Sequence, residues 1–151
     1  MHKIHRQQIV RAPIETVWAF IRAPSNLNRI TPDFLDFKIV SDVPLEMVDG
    51  LLIEYRIRLP GMGTQKWLTE IKHIRPGKSF VDEQRIGPYR FWYHYHELAG
   101  IGQGVRIIDD VTYALPFGFV GRWVNRLIVR KTLNRIFDDR SRKLSEILDH
   151  G

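Results

Sequence analysis

The sequence predicts an α+β domain in which a curved antiparallel sheet wraps a long C-terminal helix and leaves an apolar pocket between them. Three observations predict it. Runs of β-branched and aromatic residues, punctuated by turn residues, fill the chain from Phe34 to Leu115; two short helical stretches precede that block; and helical periodicity returns from Phe117 onward.

The first strand is expected around His5–Arg11, where apolar and polar residues mix. Pro13–Ile21 then reads as a short amphipathic helix, because proline suits a first helical turn and Glu15 favours the positive end of the helix dipole. Ala23–Pro32 has breakers at both ends and room for one or two further turns. Six strands follow: Phe37–Val40, Leu51–Leu59, Trp67–Ile71, Phe80–Ile86, Arg90–Leu98 and Val105–Leu115. Pro60-Gly61, Pro76-Gly77, Gly87-Pro88 and Gly100–Gly104 separate them as the turns of a meander. In the last segment Val120, Val124, Leu127, Ile128, Leu133, Ile136, Phe137, Leu144, Ile147 and Leu148 are read as one stripe on a helix of about eight turns.

With 151 residues, 44% of them hydrophobic, the chain has enough apolar side chain for one core, and a single domain spanning 1–151 is expected. No run approaches the roughly 18 apolar residues of a membrane span, and the N-terminal residues lack the apolar core of a signal peptide, so a soluble, cytoplasmic protein is expected. The absence of cysteine excludes disulfides, thiolate nucleophiles and Cys-based zinc or iron–sulfur sites. Neither a nucleophile motif nor a phosphate-binding loop is present, and no cofactor is expected. A formal net charge of +6 raises the question of an anionic partner.

The element order, with Pro13-Ile14-Glu15-Thr16-Val17-Trp18 after the first strand, resembles the START/Bet v 1-like (SRPBCC) superfamily over nearly the whole chain. Phe80-Val81-Asp82-Glu83-Gln84, Gly87-Pro88-Tyr89, Trp92-Tyr93-His94-Tyr95-His96 and Tyr113-Ala114-Leu115-Pro116 are similar to a bacterial ligand-binding subgroup that includes polyketide cyclase/dehydrase and coenzyme-Q-binding START proteins. The resemblance implies a helix-grip fold: seven curved antiparallel strands, two short helices after the first, and a long C-terminal helix over the concave face. It does not carry a ligand with it, because one fold hosts unrelated chemistries.

Strand parity gives an independent handle on the pocket, since alternate residues face opposite sides of a sheet. The more apolar sets are Leu51/Ile53/Tyr55/Ile57/Leu59, Trp67/Thr69/Ile71, Phe80/Asp82/Gln84/Ile86 and Ile107/Asp109/Val111/Tyr113; for Arg90–Leu98 parity alone does not choose between Trp92/His94/His96/Leu98 and Phe91/Tyr93/Tyr95/Glu97, and the first is taken because Trp92 and Leu98 bracket it. Placing them inward gathers Asp82, Gln84, His94, His96 and Asp109 among Tyr55, Trp67, Thr69, Trp92 and Tyr113. Phe117, Trp123 and Leu127, at the start of the last helix, complete the expected ligand-binding set. Phe117–Gly121 is read either as a mobile lip over the pocket mouth or as an ordinary strand-to-helix turn.

Asp82, His94, His96 and Asp109 are the candidates for acid–base catalysis, because burial and close charges tune carboxyl and imidazole pKa values. The plainer reading is a mutually hydrogen-bonded network that fixes a core or orients a ligand. A third reading, a metal triad of His94, His96 and Asp109, rests on a spacing common by chance, and no metal is assigned. Binding or transport of a hydrophobic or amphipathic molecule (a lipid, isoprenoid or polyketide) is therefore the leading function. A cofactor-independent cyclase or dehydratase is the alternative.

Arg122, Arg126 and Arg130 recur every four residues, with Lys131, Arg135, Arg140, Arg142 and Lys143 beyond them. Such a run is able to dock on anionic lipid or nucleic acid. Asp138, Asp139, Glu146 and Asp149 interrupt it, which favours a solvated helix face over nucleic-acid contact, with peripheral membrane contact left open.

Overall fold

The computed structural model describes residues 1–149, apart from the side chains of Phe119 and Arg122, so the Arg122 part of the predicted basic stripe lies outside the described residues. Strand β1 (His2–Val10) leads into helix α1 (Ile14–Ile21), a 3-10 turn (Pro24–Asn26), the single-turn helix α2 (Leu27–Ile30) and a second 3-10 turn (Asp33–Leu35). Strands β2 (Lys38–Ile39), β3 (Leu52–Leu59), β4 (Gly63–Arg75), β5 (Ser79–Ile86), β6 (Phe91–Ile101) and β7 (Gly104–Ala114) follow. The chain ends in α3 (Gly118–Val124), a π-helical turn (Asn125–Val129) and α4 (Arg130–Leu148).

The seven strands form one antiparallel sheet in the order β1-β7-β6-β5-β4-β3-β2. The meander predicted from the turns is thus realised, and β1 closes onto the last strand. One close approach fixes that closure. A Cβ on Gly104, the first residue of β7, would lie 2.2 Å from the Val10 carbonyl oxygen, so no larger residue fits where β7 starts beside the end of β1.

The alternation of β3, β4, β6 and β7 buries the sets chosen by parity: Ile53, Ile57 and Leu59; Trp67, Thr69 and Ile71; Trp92, His94, His96 and Leu98; Ile107, Asp109, Val111 and Tyr113. Strand β5 departs from it. Phe80 and Val81 are both buried and Ile86 is exposed. Register shifts against β4 between Leu68 and Thr69 and between Lys72 and Arg75 break the period-2 pattern, a break that residue type does not announce.

Helix α4 grips the concave face. Leu133 and Phe137 pack with Trp67, Trp92 and Tyr113, while Leu144 and Leu148 pack with Val10, Val17, Phe20 and Val105. Complete burial of Leu144 contributes roughly 1.5–3 kcal/mol.

The single stripe expected along the last helix is two stripes. Val120, Val124, Leu127 and Ile128 are exposed, whereas Leu133, Phe137, Leu144 and Leu148 are buried. At about 100° per residue, Val124 lies about half a turn around the helix from Leu133, so a straight helix is unable to bury both. The π turn adds a residue to one turn and changes the inward face again. Among the described residues, the buried ones from α3 to the start of the π turn are Gly121 and Asn125. A Cβ on Gly121 would meet the Pro116 carbonyl oxygen at 2.5 Å, so glycine is what lets α3 press against the end of the sheet.

Candidate functional site

Strands β5, β6 and β7 lie side by side with Asp82 opposite His94 and His96 opposite Asp109. Because the four residues share the concave face, cross-strand pairing brings their side chains together. His94 Nε2 contacts Asp109 Oδ1 at 2.7 Å, and His96 Nε2 contacts Asp82 Oδ2 at 2.5 Å. The reciprocal contacts are longer, 3.4 Å from His94 Nδ1 to Asp82 and 3.2 Å from His96 Nδ1 to Asp109. The imidazoles stack with centroids 3.6 Å apart, and Phe80 stacks on the outer face of His96 at 4.1 Å.

A fifth member comes from the helix. Arg140 on α4 reaches Asp109 Oδ1 with a guanidinium nitrogen at 3.6 Å. Sequence reading placed Arg140 in a solvated basic run, and the fold brings it to the sheet. The signal was present in the spacing, since Leu133, Phe137, Arg140 and Leu144 recur at the four-, three- and four-residue intervals of one helix face.

The electrostatics follow from burial and partners. For Asp109, burial raises the carboxyl pKa, but Arg140 and the two histidines outweigh it and hold the group well below the usual range. Asp82 is likewise lowered, because His94 and His96 overcome its burial. His94 is lowered by burial and by the neighbouring His96. Burial also opposes a charge on His96, yet its hydrogen bonds to Asp109 and Asp82 raise it. These directions fit two carboxylates balanced by the His96 imidazolium and Arg140, with His94 neutral. Such balance is what allows five ionisable groups to be buried together.

Two adjoining lobes of pocket space lie against this cluster. One, about 90 Å³, is lined by Phe20, Ile30, Met47, Ile71, Phe80 and His96; the other, about 140 Å³, by Phe37, Trp67, Tyr89, Trp92, His94 and Phe137. Leu27, Tyr55, Asp82 and Arg140 border both, forming a partition with a polar edge. The second lobe is an aromatic box: Trp67 stacks on Tyr55 at 5.7 Å and meets Trp92 edge-on at 5.3 Å. Burial raises the Tyr55 and Tyr89 hydroxyl pKa values, keeping both neutral. Among the described residues, two buried donors have no protein acceptor, Trp67 Nε1 and Arg140 Nε.

The expected binding residues fall into three groups. Tyr55, Trp67, Thr69, Asp82, Trp92, His94 and His96 line one or both lobes, and Asp109 sits behind the histidines. Gln84 and Tyr113 line neither. Gln84 clamps the β5–β6 turn through two hydrogen bonds with the Tyr89 backbone, and the Tyr113 hydroxyl donates to Asn125 Oδ1 at 2.5 Å. Phe117, Trp123 and Leu127 are a correction: they are 77%, 61% and 66% exposed and line neither lobe, because the upstream half of the helix turns its apolar side outward. Tyr89 and Phe37 were missed: Tyr89 lies in the β5–β6 turn, beyond the reach of strand parity, and Phe37, read as the start of a strand, lies just before β2.

Asp82, His94 and His96 also place one ligand atom each within 4.8 Å of one another. The stacked rings aim their in-plane lone pairs side by side, and each ring nitrogen faces a carboxylate, so the rings would have to separate to share one ion.

A seven-stranded antiparallel sheet gripping a long C-terminal helix defines a domain of the START/Bet v 1-like, or SRPBCC, class. Residues 1–148 match the family model described as polyketide cyclase/dehydrase and lipid transport, and the chain belongs to that family. Solved structures share the fold: a protein from Chromobacterium violaceum (13% identity, all of both chains, TM-score 0.76), a START superfamily protein from Mycobacterium smegmatis (10%, 97% of each chain, 0.71) and the major latex-like protein 151 of Panax ginseng (11%, 97% of each chain, 0.71). No curated protein matches the chain in sequence. Among the described residues, no helix is long and apolar enough to cross a membrane.

Proposed function

We propose that the chain binds and carries an amphipathic small molecule, a lipid, isoprenoid or polyketide, with its apolar body in the aromatic lobe and an oxygen-bearing end at the Asp82/Arg140 partition. The observation that supports this reading is the pair of unsatisfied donors, Trp67 Nε1 and Arg140 Nε, on residues that line a mainly apolar and aromatic lobe. A buried donor without an acceptor costs about 1–3 kcal/mol, which a ligand carbonyl or carboxylate would recover. Aromatic walls favour a body with rings or conjugation. The cysteine-free composition suits the cytosolic setting that we infer for it.

Native mass spectrometry of protein purified from its own host tests the proposal directly, with a co-purifying amphipathic molecule expected. Titration with the aromatic anion 1-anilinonaphthalene-8-sulfonate supplies the second arm: Arg140→Met and Trp67→Phe should each weaken binding about tenfold, equivalent to 1.4 kcal/mol. Absence of any co-purifying molecule, together with unchanged titrations, would overturn the reading.

A second reading is favoured by one observation. His96 lines a lobe, and its hydrogen bonds to Asp109 and Asp82 favour the imidazolium, a proton donor. Cyclisation or dehydration of a polyketide by this acid, with Asp82 as base, predicts a bell-shaped pH profile that His96→Gln abolishes. Retention of turnover in that variant excludes it.

A further inference from the structure

The upstream half of the C-terminal helix is built inside out. From α3 into the π turn, the residues turned to the protein among those described are Gly121 and Asn125, both buried, with Asn125 held by the Tyr113 hydroxyl and by His2 at 3.2 Å. Phe117, Val120, Trp123, Val124, Leu127 and Ile128 are all exposed, at the three- and four-residue spacing of one helix face. A surface helix ordinarily turns that stripe inward. The hydrogen bonds of Asn125 fix the opposite orientation, so the exposed apolar face belongs to the folded state.

The charge around the stripe selects its partner. From Val111 to Phe137 the sequence contains no Asp or Glu and five basic residues. Among these, Arg126, Arg130, Lys131 and Arg135 are exposed; Arg126 lies within the stripe, and Arg130 and Lys131 follow it directly, Lys131 one turn beyond Leu127. Large apolar and aromatic side chains rimmed by cations match an anionic bilayer, whose headgroups take the cations while the acyl boundary takes the apolar face. A second copy would set the same basic rims against each other. Nucleic acid would leave the apolar stripe without a counterpart.

We propose that residues 117–131 are a docking surface for an anionic lipid bilayer, with Trp123 and Leu127 inserted at the interface and Arg126, Arg130 and Lys131 on the headgroups. The surface is separate from the cavity and stands or falls independently of the ligand. It does adjoin it: Leu133, Ile136 and Phe137, which line the aromatic lobe, begin just past the basic rim. Docking would therefore hold the helix that grips the cavity against the membrane.

Vesicle flotation tests this with the full chain. Binding is expected to phosphatidylcholine vesicles containing about one-third phosphatidylglycerol, and to be at least about tenfold weaker with phosphatidylcholine alone or in about 1 M salt. Trp123→Glu with Leu127→Glu should abolish it, and Arg126→Glu with Arg130→Glu should weaken it more than about twentyfold, at about fivefold per basic contact. All four positions are exposed, and circular dichroism melts would show both variants folded. Equal binding to neutral vesicles, or retention in either variant, overturns the proposal. So does a concentration-dependent dimer that Leu127→Glu dissolves, which would assign the face to a second copy, or tighter binding to duplex DNA than to vesicles.

Discussion

Replacing Arg140 by methionine keeps most of the stem that packs between sheet and helix but removes one of the two positive charges balancing Asp82 and Asp109. The guanidinium lies 3.6 Å from Asp109 Oδ1, with side-chain exposures of 14% and 8%. At that distance an effective dielectric of about 20 gives an attraction of about 5 kcal/mol. Burying Arg140 offsets part of this, so the net loss of stability should be about 3 kcal/mol at pH of about 8, the usual range for stranding a buried charge. For a chain of this size that corresponds to a melting temperature lower by about 6–12 °C.

The pH dependence carries the sharper test. In the native protein His96 is raised, so its contribution is complete below its unfolded pKa near 6.5 and is lost as pH rises through the folded value. Without Arg140 the cluster has one excess negative charge, and His94, now lowered by burial and by His96, is the group placed to take up a proton. The folded variant should then bind a second proton that the unfolded chain releases above about pH 6.5, and its stability should fall by up to about 1.4 kcal/mol more per pH unit between pH 6 and 8. Urea unfolding at several pH values measures this, and NMR of the imidazole Cε1 protons reports which ring titrates. A loss below about 0.5 kcal/mol at every pH, with an unchanged slope, would refute the charge-balance reasoning.

Three further outcomes follow from the same geometry. Asp109→Asn should remove stability present above the unfolded carboxyl pKa, near 4, and so reduce the loss seen in the native protein as pH falls through the depressed folded value; acid-unfolding curves followed by tryptophan fluorescence would show it. Phe137→Ala, which opens a void between His94 and the aromatic lobe, should cost about 3–5 kcal/mol in urea unfolding while enlarging the cavity for hydrophobic probes. Asn125→Ala strands the buried Tyr113 hydroxyl and should cost about 1–3 kcal/mol, whereas Asn125→Asp, which keeps an acceptor for Tyr113, should cost less in the same assay.

Four of the five members of the polar cluster could be gathered from sequence because they rest on local geometry. Asp82, His94, His96 and Asp109 occupy strands whose alternation is set by the two-residue repeat, whatever the rest of the chain does. Where that repeat breaks, at the register shifts beside β5, parity misplaced Ile86. The helix was misread for a different reason. Apolar residues were grouped by type without tracking rotation across the segment, so two faces about half a turn apart were merged and Arg140 was assigned to water.

By itself the sequence determined the order of elements, the antiparallel meander, the inward faces of four strands and the presence of a polar patch among aromatics, because turn chemistry and side-chain periodicity act over a few residues. Only the tertiary structure decided how the imidazoles and carboxylates pair, that Arg140 completes their charge balance, and that Gly121 and Asn125 rather than the apolar stripe face the protein. Those outcomes depend on strand register, on the extra residue in the π turn and on the approach of a helix to a sheet. Each is set by packing among segments more than a hundred residues apart in places, and such packing leaves no local signature.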